Sequence, residues 1–236
     1  MRYILLFSLT ISMLQAADNQ LTREERAQGW RLLFDGKSSE GWVEVTGKPF
    51  SPNSWTIEDG CMKTLVRPGG AQDIRTLETF RSFDLQFDWK VLADGNSGVK
   101  YIIQHIDEWN NAQGRQARAR GLEYQLADNA GPDAKDPIRS AASLYSAIAP
   151  SPPTKPAVGT FHHSRIVVNG DQVEHWLDGI KVVSFDLKGP EAQKVFAQLR
   201  KKGEDPTIPP QRETWLSLQN HGTEAWFKNL KIRKLD

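Results

Sequence analysis

The sequence contains a single cysteine, Cys61, among 236 residues. An intramolecular disulfide and a cysteine-based zinc site are therefore both excluded, and the fold must be stabilised by packing. Cys61 directly follows the turn-forming pair Asp59-Gly60. We expect its thiol to be an inert small apolar group rather than a catalytic nucleophile.

The chain also lacks an excess of basic charge. Its 30 Lys and Arg residues face 29 Asp and Glu residues, and the net charge is +1. Because nucleic-acid binding requires a local excess of Lys and Arg, we expect a small molecule or a protein as the partner. The sequence has no Gly-x-Ser-x-Gly, no phosphate-binding glycine loop and no His-Glu-x-x-His. An α/β hydrolase or a nucleotide enzyme is therefore not predicted.

Long apolar runs are missing except near the start, where Arg2 precedes a mostly apolar run over 3–14 and then Gln15-Ala16-Ala17. A membrane-spanning helix needs about 20 apolar residues, so this run is too short. Its pattern predicts a secretory signal over residues 1–17, with no lipobox cysteine near the cleavage point. We therefore expect one domain over 18–236, located in the periplasm or outside the cell, without a membrane span. Nothing in the sequence indicates the oligomeric state.

Apolar and polar residues alternate along much of the remaining chain, most clearly over Phe83–Val91, which indicates a half-buried strand. Thr22 and Glu25 form a capping-box pattern for a short helix, and Pro190 and Gly203 bracket a second helix predicted over 190–202. Many short strands with one or two peripheral helices predict an all-β protein, a two-sheet antiparallel sandwich. Further strands are predicted over 98–104, 122–127, 163–168, 173–177, 181–185, 214–219 and 225–233.

Alternation also predicts which side chains share a face. Val99, Tyr101 and Ile103 have a core pattern, which places Lys100 and Ile102 on the opposite face. The same argument, applied to the neighbouring strands, predicts one polar surface formed by Lys100, Glu123, Gln125, Arg165, Ser217 and Gln219. Cation, carboxylate and amide groups of this kind suit sugar hydroxyls, and an ordinary solvated sheet face is the alternative.

The histidines suggest a second kind of site. His175 lies between Val173 and Leu177 on what alternation predicts to be a core face, so a buried structural histidine is one interpretation. A set formed by His162 or His163, His175 and a carboxylate is a candidate divalent-metal site, although the spacing is not a diagnostic zinc pattern.

Several short motifs occur together in a fixed order between about residues 30 and 235. They are Phe34-Asp35-Gly36-Lys37 with Gly41-Trp42, Trp55-Thr56-Ile57-Glu58-Asp59-Gly60, Asn96-Ser97-Gly98-Val99-Lys100-Tyr101, Gly121-Leu122-Glu123-Tyr124-Gln125-Leu126-Ala127-Asp128, Val173-Glu174-His175-Trp176-Leu177-Asp178-Gly179, and Leu218-Gln219-Asn220-His221-Gly222 followed by Trp226-Phe227-Lys228-Asn229-Leu230-Lys231-Ile232. In this order they resemble the 3-keto-disaccharide hydrolase family.

The resemblance implies a concanavalin A-like jelly-roll β-sandwich, a secreted or periplasmic location, and activity on glycosides already oxidised to a ketone at C3. The positions that match the family motifs are Asn96, Lys100, Glu123, Gln125, His175, Gln219 and His221. Two departures are present, because His162-His163 replaces the usual Trp-Asn and Asp178-Gly179 replaces an Asn-Gly turn. The histidine pair puts the substrate preference in question.

The chemistry implied for such a substrate assigns roles to these side chains. A ketone at C3 acidifies the C2 hydrogen, so a base can remove it, the C1 substituent can be expelled, and water can then add. Glu123 or His175 is expected as the base, Lys100 or a bound divalent metal as the enolate stabiliser, and His221 as the acid. The expected substrate-binding residues are Asn96, Gln125, Arg165, Trp176 and Gln219.

Three other interpretations remain at this point. The two-carboxylate glycosidase mechanism is an enzymatic alternative, but Glu123 is the only carboxylate predicted with assurance on the polar face. A non-catalytic carbohydrate-binding module would use Trp176 or Trp109 to stack on sugar rings. In a structural or adhesive surface domain, substitution of Glu123 or His221 would have no effect on function.

Overall fold

The computed structural model describes residues 17–66, 70–112 and 114–235. The predicted signal segment therefore lies outside the described residues, apart from Ala17. Within the described ranges no helix is long and apolar enough to cross a membrane. The elements are α1 (Arg23–Ala27), β1 (Arg31–Leu32), β2 (Trp42–Glu44), β3 (Trp55–Glu58), β4 (Cys61–Thr64), β5 (Ile74–Thr76), β6 (Phe83–Val91), β7 (Asn96–Asn111), β8 (Gly114–Ala127), two 3-10 turns (Pro132–Ala134 and Pro137–Arg139), β9 (His162–Asn169), β10 (Gln172–Leu177), β11 (Ile180–Asp186), α2 (Pro190–Leu199), β12 (Ser217–Leu218) and β13 (Ala225–Lys234).

The strands form two sheets. The eight-stranded sheet has the order β11-β10-β9-β6-β13-β4-β3, with β1 also paired to β13, and the five-stranded sheet has the order β2-β5-β12-β7-β8. The ladders between named strands are antiparallel. The predicted all-β antiparallel sandwich is confirmed, and the turns at Gly170-Asp171 and Asp178-Gly179 join β9, β10 and β11 into a meander.

The core lies between the inner faces of the two sheets. On β6 the alternation places Phe83, Leu85 and Phe87 inward, each at most 2% exposed. Burial of such side chains stabilises the fold by about 1.5–3 kcal/mol each. The largest fully buried side chains come from both sheets and include Trp55, Trp89, Tyr101, Tyr124, Phe227 and Met62.

The strand prediction for residues 98–104 is wrong in one respect, because β7 contains a bulge. The pairing shifts between Tyr101, which lies opposite Leu122, and His105, which lies opposite Arg120. Ile102 adopts φ +50° inside this irregularity. Alternation is lost there, so Ile102 packs into the main core while Ile103 joins a separate apolar cluster with Val45, Ala117 and Ala119. Bulges of this kind are common beside functional sites.

The helices and one irregular segment cover the edges of the sandwich. Thr22 and Glu25 form the predicted capping box of α1. The second helix ends at Leu199 rather than at residue 202, because Arg200 is extended (φ −65°, ψ 139°). Residues 142–145 pair with the outer edge of β8, where Ala142 N donates to Gln125 O at 2.8 Å. This segment closes the open edge next to the candidate site.

Candidate functional site

Polar side chains from three adjacent strands lie on the outer face of the five-stranded sheet. Lys100 on β7 is directly opposite Glu123 on β8, and Gln125 is opposite Gly98. Just after β12, the Gln219 backbone N–H donates to Gly98 O at 2.9 Å. The shared face predicted from alternation is therefore confirmed for Lys100, Glu123, Gln125, Ser217 and Gln219.

Lys100 and Glu123 form the centre of this face. The Lys100 Nζ atom lies 3.9 Å from Glu123 Oε2, and the two side chains are only 3% and 13% exposed. Burial raises the pKa of Glu123; Lys100 opposes the rise and the negative charge of Asp73 adds to it. A carboxylate with a raised pKa is suited to general-base catalysis nearer neutral pH. The adjacent ammonium is suited to stabilising an oxyanion.

The space and the orientation of the Glu123 carboxylate are set by its neighbours on the sheet. A Cβ atom at Gly98 would lie 2.4 Å from Glu123 Oε1, so the glycine leaves room for the carboxylate. With its amide nitrogen turned toward Glu123, Gln125 donates to Glu123 Oε1 at 3.1 Å and to Ser97 O at 3.2 Å. The Asn96 side chain lies 3.2 Å from the same amide. Gln125 thus contacts the carboxylate directly, and Asn96 contacts Gln125.

The Gln219 side chain carries a buried amide oxygen on this face. The residue is 5% exposed, and its Oε1 atom is buried without a hydrogen-bond partner among the described residues. A buried amide oxygen without a partner is costly unless a ligand or water satisfies it.

Asp73 is a central residue of the site that the sequence analysis missed. It is fully buried, and its Oδ2 accepts hydrogen bonds from Lys100 Nζ at 3.0 Å and from Ala119 N at 3.1 Å. Its Oδ1 accepts from Asn220 N at 3.0 Å. Asp73 precedes the three-residue strand β5, which is too short to show alternation, so no pattern in the sequence distinguishes it.

A cavity of about 240 Å³ opens beside Lys100 and Glu123. Its floor is the sheet, and one wall is formed by Val195, Gln198 and Leu199 of α2. The remaining lining residues are Ala119, Arg120, Gly121, Tyr145 and Ser146. A Cβ atom at Gly121 would lie 2.6 Å from Tyr101 O, so this glycine allows β8 to approach the bulge of β7. The cavity has a suitable size for one sugar ring at the carboxylate.

His221 is carried by the turn that follows β12. Asn220 fixes this turn, because its backbone N–H donates to Asp73 and its side chain donates to Ser54 O at 2.8 Å. Asn220 Oδ1 also accepts from Gly222 N at 2.9 Å. The turn that bears His221 is thus tied through Asp73 to Lys100. The acid role of His221 stays a prediction.

His175 does not lie on this face. It is fully buried between the sheets, where its Nε2 lies 2.8 Å from the Tyr101 hydroxyl and its Nδ1 lies 3.0 Å from Ala142 O. Burial lowers the pKa of His175 to about 4. Since Tyr101 points inward and its neighbour Lys100 outward, the sheet separates His175 from the Glu123 cavity. The structure therefore favours the buried structural interpretation of His175 over the base role.

The prediction that Arg165 shares the polar face is wrong. Arg165 is on β9 of the eight-stranded sheet, where its guanidinium contacts the Asp84 carboxylate at 2.7 and 2.8 Å. The Trp176 ring on β10 lies 5.5 Å from this guanidinium. Both residues were expected to bind substrate, but they lie together on the opposite side of the sandwich. Alternation specifies the face of a strand and not the sheet to which the strand belongs.

The proposed histidine set is not brought together either. His162 Nδ1 lies 2.8 Å from Asp178 Oδ2, whereas His163 Nδ1 lies 2.6 Å from Asp88 Oδ1. His175 is in the core. In the described part of the chain no group of three or more His, Cys, Asp and Glu residues has the arrangement of a metal site.

Trp109, the other candidate for sugar stacking, is on β7 beyond the bulge. The Arg118 guanidinium lies 5.4 Å from the centre of its ring. Trp109 therefore belongs to the far part of the β7–β8 hairpin and does not line the cavity beside Glu123.

Comparisons with known proteins agree with this fold. Residues 29–233 match the profile of a family described as the 3-keto-alpha-glucoside-1,2-lyase-like domain. A curated 3-keto-disaccharide hydrolase from Bacteroides thetaiotaomicron is 32% identical, and the match covers 89% of this chain and 80% of that protein. A crystal structure from Parabacteroides distasonis, provisionally named a glycosyl hydrolase, superposes with a TM-score of 0.75 at 30% identity, covering 93% of this chain and 100% of the other. A second structure from that organism, at 22% identity and a TM-score of 0.63, shares the fold.

Proposed function

Because the chain belongs to the family of 3-keto-alpha-glucoside-1,2-lyase-like domains, we propose that it is a glycoside-cleaving enzyme that acts on 3-keto-glycosides. The observation that carries the proposal is the Glu123–Lys100 pair, 3.9 Å apart and largely buried, beside a cavity. The pair supplies a base and a fixed positive charge, the two groups that proton abstraction next to a ketone requires.

In the proposed reaction Glu123 removes the C2 proton, and the electron pair of the C–H bond moves to form an enolate on the C3 oxygen. The Lys100 ammonium stabilises this negative charge. Collapse of the enolate forms the C1–C2 double bond and breaks the bond from C1 to the glycosidic oxygen, which receives a proton from His221. Water then adds at C1, C2 regains a proton, and the products are a 3-keto sugar and the free alcohol.

The remaining polar groups of the face are proposed to bind the sugar. Gln219 on the same face is proposed to bind a sugar hydroxyl through its Oε1 atom, which has no hydrogen-bond partner among the described residues. Gln125 holds the Glu123 carboxylate, and Asn96 contacts Gln125. His175 is assigned no chemical step, because the sheet separates it from the cavity. Glu123 is therefore the proposed base of the two candidates that the sequence offered.

We further propose that the protein acts in the periplasm or outside the cell. This proposal is supported by the apolar run over 3–14 and the small residues that follow it. The N-terminal sequence of the protein recovered from cells would test it, and a start at or near residue 18 is expected.

The experiment for the activity compares a 3-keto-glucoside with its unoxidised parent glucoside, each with and without a chelator. Cleavage of the keto compound alone is expected, and Glu123→Gln should abolish it while Glu174→Gln, a change on the opposite sheet, should not. Loss of activity with chelator would add a divalent metal to the mechanism. If both compounds bind and neither is cleaved, the proposal fails and a non-catalytic carbohydrate-binding module becomes the better interpretation.

A further inference from the structure

Asp73 contacts three separate segments of the candidate site. One carboxylate oxygen accepts from Lys100 Nζ on β7 and from Ala119 N on β8, and the other accepts from Asn220 N in the turn that bears His221. The donor–acceptor distances of these three hydrogen bonds are 3.0 or 3.1 Å. The carboxylate therefore fixes the relative positions of β7, β8 and this turn.

Asp73 and Lys100 form an ion pair that is almost completely shielded from solvent. The Lys100 side chain is 3% exposed and that of Asp73 is 0% exposed. An ammonium buried without a countercharge is strongly unfavourable, and breaking one side of a buried pair costs more than breaking a surface pair. Glu123 Oε2 lies 3.9 Å from Lys100 Nζ, beyond hydrogen-bond distance. Asp73 is therefore the main anchor of the ammonium.

Among the described residues, Lys100 Nζ donates a hydrogen bond to Asp73, and an ammonium group carries three donors. We propose that Asp73 is the positioning residue of the active site, which holds the Lys100 ammonium beside Glu123 and couples it to the turn that carries His221. This inference rests on the proposed function for its effect on turnover. The placement of Lys100 by Asp73 can be tested without turnover.

The test compares Asp73→Asn with Asp84→Asn. Asp84 is a suitable control because it is equally buried, at 1% exposure, and accepts from Arg165 and Arg233 on the opposite sheet. In Asp73→Asn the amide oxygen can still accept from Asn220 N, but the amide NH₂ faces the Lys100 and Ala119 donors. Both variants lose a buried ion pair, and only the first loses the anchor of Lys100.

The first measurement is chemical acetylation of lysines in the folded proteins, followed by peptide mass spectrometry. Labelling of Lys100 is expected to rise severalfold in Asp73→Asn and to stay at the parent level in Asp84→Asn. Unchanged labelling of Lys100 in Asp73→Asn would overturn the proposal. This outcome does not depend on whether the protein cleaves any sugar.

The second measurement is turnover of a 3-keto-glucoside at temperatures where both variants are folded. The kcat of Asp73→Asn is expected to fall about 100-fold, the order caused by a misplaced catalytic group, with KM changed much less. The charged groups that act on Glu123 are Lys100, Asp73, Arg118 and Arg120. Lys100 lowers the pKa of Glu123 more than Asp73 raises it, so release of the ammonium in Asp73→Asn should move the acid limb of the pH profile to higher pH.

A kcat within about tenfold of that of Asp84→Asn, with an unmoved acid limb, would overturn the positioning role. If Asp73→Asn does not fold, Asp73→Glu is the replacement variant, because it retains the charge and displaces the carboxylate by one methylene. The same loss of kcat is expected for Asp73→Glu. A kcat equal to that of the parent would overturn the proposal. A parent protein without any turnover would refute the proposed function alone, since the labelling result still decides the placement of Lys100.

Discussion

Replacement of His175 by glutamine should change how the stability of the protein depends on pH. Because burial lowers its pKa to about 4, His175 is neutral in the folded protein at pH 7. The Ala142 carbonyl can only accept, so Nδ1 carries the proton and Nε2 accepts from the Tyr101 hydroxyl. The Tyr124 ring centre lies 4.7 Å from the imidazole and the Phe185 ring centre 6.1 Å from it. This environment offers no countercharge to an imidazolium ion.

The magnitude follows from the two pKa values of His175. Its pKa is about 4 in the folded protein, against an ordinary value of 6.5 that applies to the unfolded chain. The unfolded chain therefore binds a proton that the folded protein does not, and the free energy of unfolding falls as the pH decreases from about 6.5 toward 4. One pKa unit corresponds to about 1.4 kcal/mol, so the full effect is about 3 kcal/mol, of which about 2 kcal/mol is reached by pH 5.

The assay is urea unfolding followed by tryptophan fluorescence at pH 7.5, 6 and 5. His175→Gln is expected to be less stable than the parent at pH 7.5, and the difference should shrink by about 2 kcal/mol at pH 5. Tyr101→Phe is the matched control, because it removes a hydrogen bond to the same imidazole and keeps the titrating group, so its pH dependence should follow that of the parent. A stability difference between His175→Gln and the parent that is constant from pH 7.5 to 5 would refute the reasoning.

Three further predictions concern the two outer faces of the sandwich. Since burial raises the pKa of Glu123, the acid limb of kcat/KM for a 3-keto-glucoside should lie above pH 4.5, the ordinary glutamate value; a limb at or below it would contradict the base role. Gly98→Ala should lower kcat about tenfold or more with little change in melting temperature, because the new Cβ would lie 2.4 Å from Glu123 Oε1. A kcat equal to that of the parent would show that the carboxylate does not need this space. Trp176→Ala should leave KM within about twofold of the parent value in the same kinetic assay, because this residue is on the other sheet; a large rise in KM would place the sugar there instead.

Features of the fold and the site could be predicted from the sequence where they depend on residues close together in the chain. The face shared by Lys100 and Glu123 was predictable because side chains alternate strictly along a paired strand. The same rule failed between Tyr101 and His105, where the bulge in β7 interrupts the pairing. It also failed for Arg165, because alternation cannot tell which of two sheets a strand joins.

Three features were predictable from local sequence: the all-β class, the capping box of the first helix, and the carboxylate, cation and amide side chains that share one face. These features depend on residues close together in the chain, and on a repeat of two residues that backbone geometry imposes. The tertiary structure alone decided that His175 is buried in the core and that Arg165 lies on the opposite sheet. It also decided that Asp73, 27 residues before Lys100 in the chain, is the group that holds its ammonium. Contacts of this kind are made when distant segments pack together, and no local pattern of residues records them.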